Sequence, residues 1–182
     1  MSAILGGARQ VGFVVRDIHK AMAHWSGVLG VGPWFYKEEV NTTEFSYYGK
    51  PSALPKMSIA LANSGSLQLE LIQQRNDAPS LYLDTLQRSG EGAQHLAYWT
   101  DDHFDEWCAL LRARGYVEGH AGRMGTRGRF AYFVHDDLPS GMIEVSELSG
   151  GKGDYFKKIL AASQDWDGHT DPIRVIAPVR PA

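Results

Sequence analysis

Four polar residues in this sequence each stand in an apolar stretch, and the stretches recur in pairs. Gln10 opens QVGFVVRD and His95 opens HLAYWTDD, and these two segments align with each other. Glu70 lies in LQLELIQQ and Glu144 lies in GMIEVSEL, which form a second aligned pair. Each half of the chain therefore contributes one amide or imidazole group and, further on, one carboxylate.

These four side chains offer the donor atoms of a divalent-metal site. A carboxylate among apolar neighbours is unfavourable unless a cation or another partner compensates its charge. Taken singly, a strand histidine is usually a hydrogen-bonded core residue and a strand glutamate usually faces solvent. The recurrence at matched positions favours one metal ion bound by Gln10, Glu70, His95 and Glu144. One imidazole nitrogen with carboxylate and amide oxygens suits Zn, Ni, Co, Mn or Fe.

The segments that carry these residues predict a repeated unit of one strand, one helix and three strands. Asp17 and Asp102 follow the first strand of each half, where a side-chain oxygen would cap the next helix. The other strands are predicted at 34–40, 56–63 and 66–74 in the first half and at 117–120, 129–136 and 141–148 in the second. The predicted fold class is α+β, with two βαβββ modules.

The chain divides into four parts on this interpretation. Residues 1–75 form the first module, residues 76–90 a linker with a short helix, and residues 91–148 the second module. Residues 149–182 form a C-terminal extension, with the flexible stretch SGGKG, a helix over 154–164 and a proline-punctuated tail. The tail contains large apolar residues, so we expect it to pack on the body of the protein.

Aromatic and basic residues near the predicted strands are candidates for substrate binding. Trp34 and Tyr36 belong to an aromatic-rich part of the first module, and Trp99 shares the predicted strand face of His95. We expect these rings to favour a bulky or aromatic organic substrate, although core packing also uses such side chains. Arg123 and Arg129 flank a glycine-rich turn, which is either a solvated hairpin or a clamp for a carboxylate or phosphate.

Length, composition and charge narrow the class of protein. The 182 residues suit one domain or two small modules. The formal net charge of -3 and the interspersed signs exclude a broad basic surface, so we expect no nucleic-acid partner. No apolar stretch is long enough to span a membrane and no signal segment is recognised, so we expect no membrane partner and a cytoplasmic location. The single cysteine, Cys108, fits a reducing compartment as a buried thiol.

The paired openings QVGFVVRD and QHLAYWTDD and the closing LELIQQ and IEVSEL resemble the vicinal oxygen chelate superfamily over about residues 8–148. That superfamily includes glyoxalase I, methylmalonyl-CoA epimerase, extradiol dioxygenases and bleomycin resistance proteins. The order Gln10, Glu70, His95, Glu144 resembles the ligand order of eukaryotic-type glyoxalase I. The epimerase has histidine first and glutamine second, and the dioxygenases have histidine where this chain has Gln10.

The resemblance implies a metal-dependent isomerase, epimerase or lyase that moves a proton next to a carbonyl held by the metal ion. It implies Glu144 as the first choice of catalytic base and Glu70 as the second. The alternative from another class is a metal-free, bleomycin-resistance-like protein that binds a small molecule. An extradiol-type dioxygenase is a third and weaker alternative. A homodimer is compatible with the resemblance, and whether the two modules pair within one chain or between chains is open.

Overall fold

The structure is a computed structural model that describes residues 2–40, 42–139 and 141–177. The strands in these residues are β1 (Gln10–Val14), β2 (Trp34–Val40), β3 (Thr43–Tyr47), β4 (Lys50–Pro51), β5 (Met57–Ser64), β6 (Leu67–Gln74), β7 (Gly92–Thr100), β8 (Val117–Arg123), β9 (Arg129–Val134), β10 (Met142–Glu147) and β11 (Ile173–Val175). The helices are α1 (Ile18–Leu29), α2 (Leu81–Arg88), α3 (Phe104–Ala113) and α4 (Lys152–Gln164).

All of these strands belong to one sheet, in the order β11-β2-β5-β6-β1-β7-β10-β9-β8-β3-β4. The first half supplies β2-β5-β6-β1 and the second half supplies the mirrored order β7-β10-β9-β8. Strands β1 and β7 pair antiparallel at the centre and join the halves within one chain. The predicted α+β fold with two βαβββ units is confirmed.

Asp17 and Asp102 have different roles at the starts of α1 and α3. Asp17 Oδ1 accepts a hydrogen bond from the Lys20 amide at 3.0 Å, so Asp17 caps α1 as predicted. Asp102 does not cap α3, and that prediction is wrong. Instead, the His103 amide donates a hydrogen bond to Thr100 Oγ1 at 2.8 Å, just before α3 begins.

Three apolar clusters hold the sheet between its helices. One cluster lies between α1 and the first half of the sheet and includes Ile18 and Met22. A second lies under α3 and includes Phe104 and the buried Cys108. The third and largest lies on the other face of the sheet and includes Phe156 of α4. Helices α1 and α3 thus cover one face, and α4 packs against the face that carries the candidate site.

Two additions extend the repeated units. The hairpin of β3 and β4 leaves the first half and pairs with β8 at the far edge of the second half. The aromatic segment there was not predicted to contain strands. After α4, β11 pairs parallel with β2 at the opposite edge, and the extension contacts the body as far as Ile176, whose amide donates to Tyr36 O at 2.7 Å. The last predicted part of the tail, 178–182, lies outside the described residues.

Within the described part of the chain, no helix has both the length and the apolar content needed to cross a membrane.

Candidate metal centre

The four predicted ligands lie on four adjacent strands at the centre of the sheet. Glu70 is on β6, Gln10 on β1, His95 on β7 and Glu144 on β10, and the sheet order is β6-β1-β7-β10. All four side chains belong to buried residues. The central pairing of β1 with β7 is what brings the ligands of the two halves together, because it places the first strands of the two repeats side by side.

Three of these residues converge on one point. His95 Nε2 lies 3.4 Å from Glu70 Oε2 and 3.2 Å from Glu144 Oε2. One donor atom from each residue lies within 4.8 Å of the other two. Two ligands that each lie about 2.1 Å from a shared ion are about 3.0–3.4 Å apart in octahedral or tetrahedral geometry. The observed separations therefore fit a divalent cation.

His95 Nε2 is a buried polar atom that lacks an aligned hydrogen-bond partner. Both carboxylate oxygens are near it, yet neither makes a well-directed bond. A buried imidazole nitrogen that faces two carboxylates without a well-directed hydrogen bond suits a metal ligand once its proton is displaced. The donor set of imidazole nitrogen and carboxylate oxygen matches the same group of metals that the sequence indicates.

Gln10 lies in the first strand beside this group and lines the same cavity as Glu70 and Glu144. Its amide nitrogen donates to Gln68 Oε1 at 2.8 Å, and Gln68 is fully buried on the neighbouring strand. The bond uses the nitrogen of Gln10, so the amide oxygen is the atom that this residue can offer to a metal ion.

Two neighbours set the position of the His95 ring. Gln94 Oε1 lies 3.2 Å from His95 Nδ1, and Gln94 is itself held by bonds from its amide nitrogen to Leu81 O and Thr85 Oγ1, each 2.9 Å. A proton on Nδ1 directed at Gln94 leaves Nε2 free as the ligand atom. On the other side the ring lies over Gly12, where a Cβ atom would approach His95 Cε1 to 1.8 Å.

The buried charges strongly affect one another. Burial, and then the negative charge of Glu144, raise the pKa of Glu70, although the nearby His95 imidazole opposes them. Burial by itself would lower the pKa of His95, but the two carboxylates outweigh it and raise that pKa to about 9. His95 in turn keeps the pKa of Glu144 low against the effect of burial. A cation between the carboxylates is therefore stabilising, whether it is an imidazolium or a metal ion.

A cavity of about 100 Å³ opens beside the three polar groups Gln10, Glu70 and Glu144. Apolar and aromatic side chains form most of its wall, among them Phe35 and Tyr132. A dry apolar cavity of about 150 Å³ holds one benzene molecule. The cavity therefore admits a short acyl group or a small ring next to the candidate ligands.

Trp34 and Tyr36 do not line this cavity. Both pack in the cluster between β2 and α1, on the opposite face of the sheet. Phe35, between them in β2, lines the cavity instead. Because successive side chains of a strand point to opposite faces, the aromatic run alone does not distinguish the residue that faces the ligand from its two neighbours. The structure thus places Phe35 at the cavity and places Trp34 and Tyr36, the predicted candidates, in the core of the opposite face.

Trp99 lies on a separate hollow of the surface. Its ring packs on Phe156 at a centroid distance of 4.5 Å, and the guanidinium of Arg9 lies 5.6 Å from its ring centroid. Trp99 lines that hollow and does not line the cavity beside Glu70 and Glu144. Helix α4 accounts for this placement, because Phe156 fills the space next to the Trp99 ring.

The arginines of the predicted anion clamp have different roles. Arg129 makes ion pairs with Glu147 and Asp105, each with an N–O distance of 2.8 Å. Arg123 lies 3.4 Å from Glu44. Neither lines the cavity, whereas Arg127 between them does. Arg123 and Arg129 therefore pair with carboxylates of the protein, and Arg127 is the arginine of this segment that lines the cavity.

The structure adds a cavity residue that sequence reasoning missed. Lys152 stands at the start of α4, is 8% exposed, and lines the cavity with Ser146 and Glu144. Its ammonium donates to Ser146 Oγ at 2.5 Å. The sequence signal was absent because Lys152 stands in SGGKG, which reads as a flexible break, and the helix begins two residues before its predicted start.

The chain consists of two βαβββ units that pair through their first strands. The four candidate ligands lie buried across the four central strands, and this combination defines a class of protein. A sequence model described as Glyoxalase/Bleomycin resistance protein/Dioxygenase superfamily matches residues 9–133. The chain belongs to this superfamily, which is the vicinal oxygen chelate superfamily. The predicted resemblance is confirmed at this level. No curated protein sequence matches the chain.

Solved structures of the same fold include methylmalonyl-CoA epimerase from Mycobacterium tuberculosis, with 19% identity, 81% of this chain and 91% of that chain covered, and a TM-score of 0.55. A hypothetical protein from Bacillus halodurans has 17% identity, covers 78% of this chain and 93% of its own, and has a TM-score of 0.52. A variant Streptomyces coelicolor methylmalonyl-CoA epimerase in complex with 2-nitronate-propionyl-CoA has 18% identity, coverages of 79% and 97%, and a TM-score of 0.51. These similarities establish the fold.

Proposed function

We propose that this protein is a divalent-metal-dependent isomerase, epimerase or lyase that transfers a proton at a carbon next to a carbonyl group. The observation that supports this most directly is the convergence of Glu70, His95 and Glu144, whose two carboxylate residues line a cavity. A divalent cation held there would act as a Lewis acid towards the carbonyl oxygen and make the neighbouring C–H more acidic. Gln10, Glu70, His95 and Glu144 are the residues that would hold the ion.

The protein's own side chains supply the proton transfer. Glu144 is the proposed base, and Glu70, which faces the cavity from the other half of the sheet, is the second carboxylate within reach of the same position. A carboxylate beside a bound carbonyl compound can remove the adjacent proton and return it to another position. Two carboxylates on opposite sides would exchange the proton between two faces, whereas one carboxylate would move it between neighbouring carbons.

The walls of the cavity limit what can be transformed. Apolar side chains surround the polar end, and they exclude water from the carbon that loses its proton. The cavity volume of about 100 Å³ admits only a short acyl group or a small ring. The aromatic residues of the first module led us to expect a bulky substrate. Such a substrate would place only its reacting group in the cavity and the rest of the molecule outside it.

The proposal is tested by the metal content of the purified protein. Elemental analysis of the wild type is expected to give about one equivalent of a transition metal per chain, consistent with one ligand set. Glu144→Ala and His95→Ala are expected to lose the metal. His24→Ala is the matched control, because His24 is exposed on α1 and is expected to leave the metal content unchanged.

Activity is tested separately by NMR, as the incorporation of solvent deuterium at the carbon next to the carbonyl of a branched acyl-CoA thioester and of a short 2-oxo acid. Exchange by the wild type, and none by a Glu144→Gln variant that still carries metal, would support the proposed base; Glu144→Ala does not test it, because that variant is expected to lose the metal. A protein without metal, even after metal is added back, would overturn the enzyme proposal. It would leave the alternative, in which His95, Glu70 and Glu144 form a buried ion-pair network in a small-molecule-binding protein.

A further inference from the structure

Lys152 is a buried cation without a carboxylate partner in contact. Its side chain lines the cavity and its residue is 8% exposed. In the described residues its hydrogen bond goes to the Ser146 hydroxyl, and no carboxylate oxygen lies within the 4.0 Å of a salt bridge. An ammonium buried in this way is unfavourable unless an anion compensates its charge.

The charges around the cavity indicate that the compensating anion belongs to the substrate. Two carboxylates, Glu70 and Glu144, balance the charge of one divalent ion, and His95 is neutral when its nitrogen binds metal. The Lys152 ammonium then leaves positive charge over, and Lys37 and Arg127, which line the same cavity, add to it. Burial lowers the pKa of Lys152, and the charges of Glu144 and Glu70 act in the opposite direction. A substrate with a negatively charged group would compensate part of this excess.

The position of Lys152 indicates where on the substrate that charge belongs. Ser146 bonds to Lys152 and stands two residues after Glu144 on the same face of β10. The Lys152 ammonium therefore contacts Ser146, the residue next to Glu144 on the same face of β10. A small substrate whose carbonyl faces the ligands can therefore present a second group to Lys152 within the same cavity.

We propose that Lys152 binds a carboxylate of the substrate, and that the substrate is a short carbonyl acid with its carboxylate close to the reacting carbonyl. This inference rests on the proposed function for the orientation of the carbonyl. Lys152 stands on α4, after the second repeated unit, so the C-terminal extension contributes this residue to the cavity. The apolar wall near Phe35 and Phe156 receives the hydrocarbon part of the acid.

The test compares 2-oxoisovalerate with its carboxamide, which has nearly the same shape and no charge. Isothermal titration calorimetry with the metal-loaded protein gives both dissociation constants. The wild type is expected to bind the acid at least about tenfold more tightly than the amide, because only the acid gives Lys152 a charge-assisted hydrogen bond. Lys152→Met and Lys152→Gln are expected to remove this preference and to bind the amide as the wild type does.

Two variants keep the test independent of folding. Lys152→Gln can still donate to Ser146, and Lys158→Met on the exposed side of the same helix is the matched control that keeps the preference. An acid preference that is unchanged in Lys152→Gln overturns the role of Lys152. If the wild type binds neither compound, the proposed substrate class is wrong.

Failure of the inference is distinguishable from failure of the proposed function. A wild type that carries metal but shows no preference that depends on Lys152 refutes the inference alone. A wild type that carries no metal refutes the proposed function. If that metal-free protein still prefers the acid through Lys152, the anion site stands without the enzyme activity.

Discussion

The substitution Gly12→Ala tests whether the packing of β1 against β7 positions the candidate metal ligand. Gly12 is paired with His95 in the central ladder, and the imidazole ring lies where a Cβ on Gly12 would be. The added methyl carbon would be 1.8 Å from His95 Cε1 and 2.4 Å from Nε2. Gly12 is not in the left-handed backbone region, so alanine fits the backbone and the effect arises from the ring contact.

The expected displacement follows from these distances. Carbon atoms in contact are about 3.5 Å apart, so the ring must move by about 1.7 Å or the strands must separate. Metal ligands are positioned to within about 0.2 Å, and loss of a supporting contact alone costs about 10–100-fold in metal affinity. We therefore expect Gly12→Ala to weaken metal binding by at least about 100-fold, and to destabilise the metal-free protein by about 1–3 kcal/mol through overpacking.

The assay is competition for the metal with a chromophoric chelator, combined with urea unfolding of the metal-free protein. Gly27→Ala is the matched control, because Gly27 is exposed in α1 and its added Cβ meets nothing within 4 Å. Alanine there should leave metal affinity unchanged and raise helix stability by about 1 kcal/mol. A folded Gly12→Ala protein with wild-type metal affinity would refute the assignment of His95 as a ligand in this geometry.

Three further predictions concern the surroundings of the site. Gln94→Leu removes the partner of His95 Nδ1 and is expected to weaken metal binding by about 10–100-fold in the same competition assay, whereas unchanged affinity would exclude this positioning role. Hydrogen bonds from Arg129 lower the pKa of Glu147 from its usual 4.5 to about 2, so this carboxylate stabilises the fold above pH 4.5 and loses that effect as the pH falls towards 2. Urea unfolding at pH 6 and pH 3 should therefore show that the wild type loses about 1–2 kcal/mol more than Glu147→Gln, and equal losses would contradict the ion pair. Trp34→Ala is expected to lower the free energy of unfolding by about 3–5 kcal/mol without changing the affinity for the carboxamide. Phe35→Leu is expected to weaken carboxamide binding, measured by calorimetry. The reverse pattern would mean that the ligand binds on the Trp34 face of β2 and not on the Phe35 face.

The repeated unit could be predicted from the sequence because its signals are local. Alternating apolar residues mark strands, Asp17 marks the start of α1, and both are properties of a few neighbouring residues. The same periodicity selected Gln10, Glu70, His95 and Glu144 before any pairing was known, because polar residues recurring in two apolar strands are unusual. That selection did not require knowledge of how the strands pair.

The side chains around the cavity depended on tertiary structure. In β2 three successive aromatic residues are all buried, and only the packing of α1 against one face decides that Phe35 and neither Trp34 nor Tyr36 reaches the cavity. Arg123 and Arg129 are local neighbours of Arg127, but ion pairs with residues distant in sequence take those two away from the cavity.

The sequence by itself determined the α+β class, the two βαβββ units and the candidate ligand types, since strand and helix periodicity is encoded residue by residue. The tertiary structure alone decided that β1 pairs with β7 within one chain, that the β3–β4 hairpin joins the edge of the second half, and that Lys152 enters the cavity from α4. These features are contacts between segments far apart in the chain. Burial of apolar surface selects such contacts, and it depends on the shape of the whole sheet rather than on local pattern.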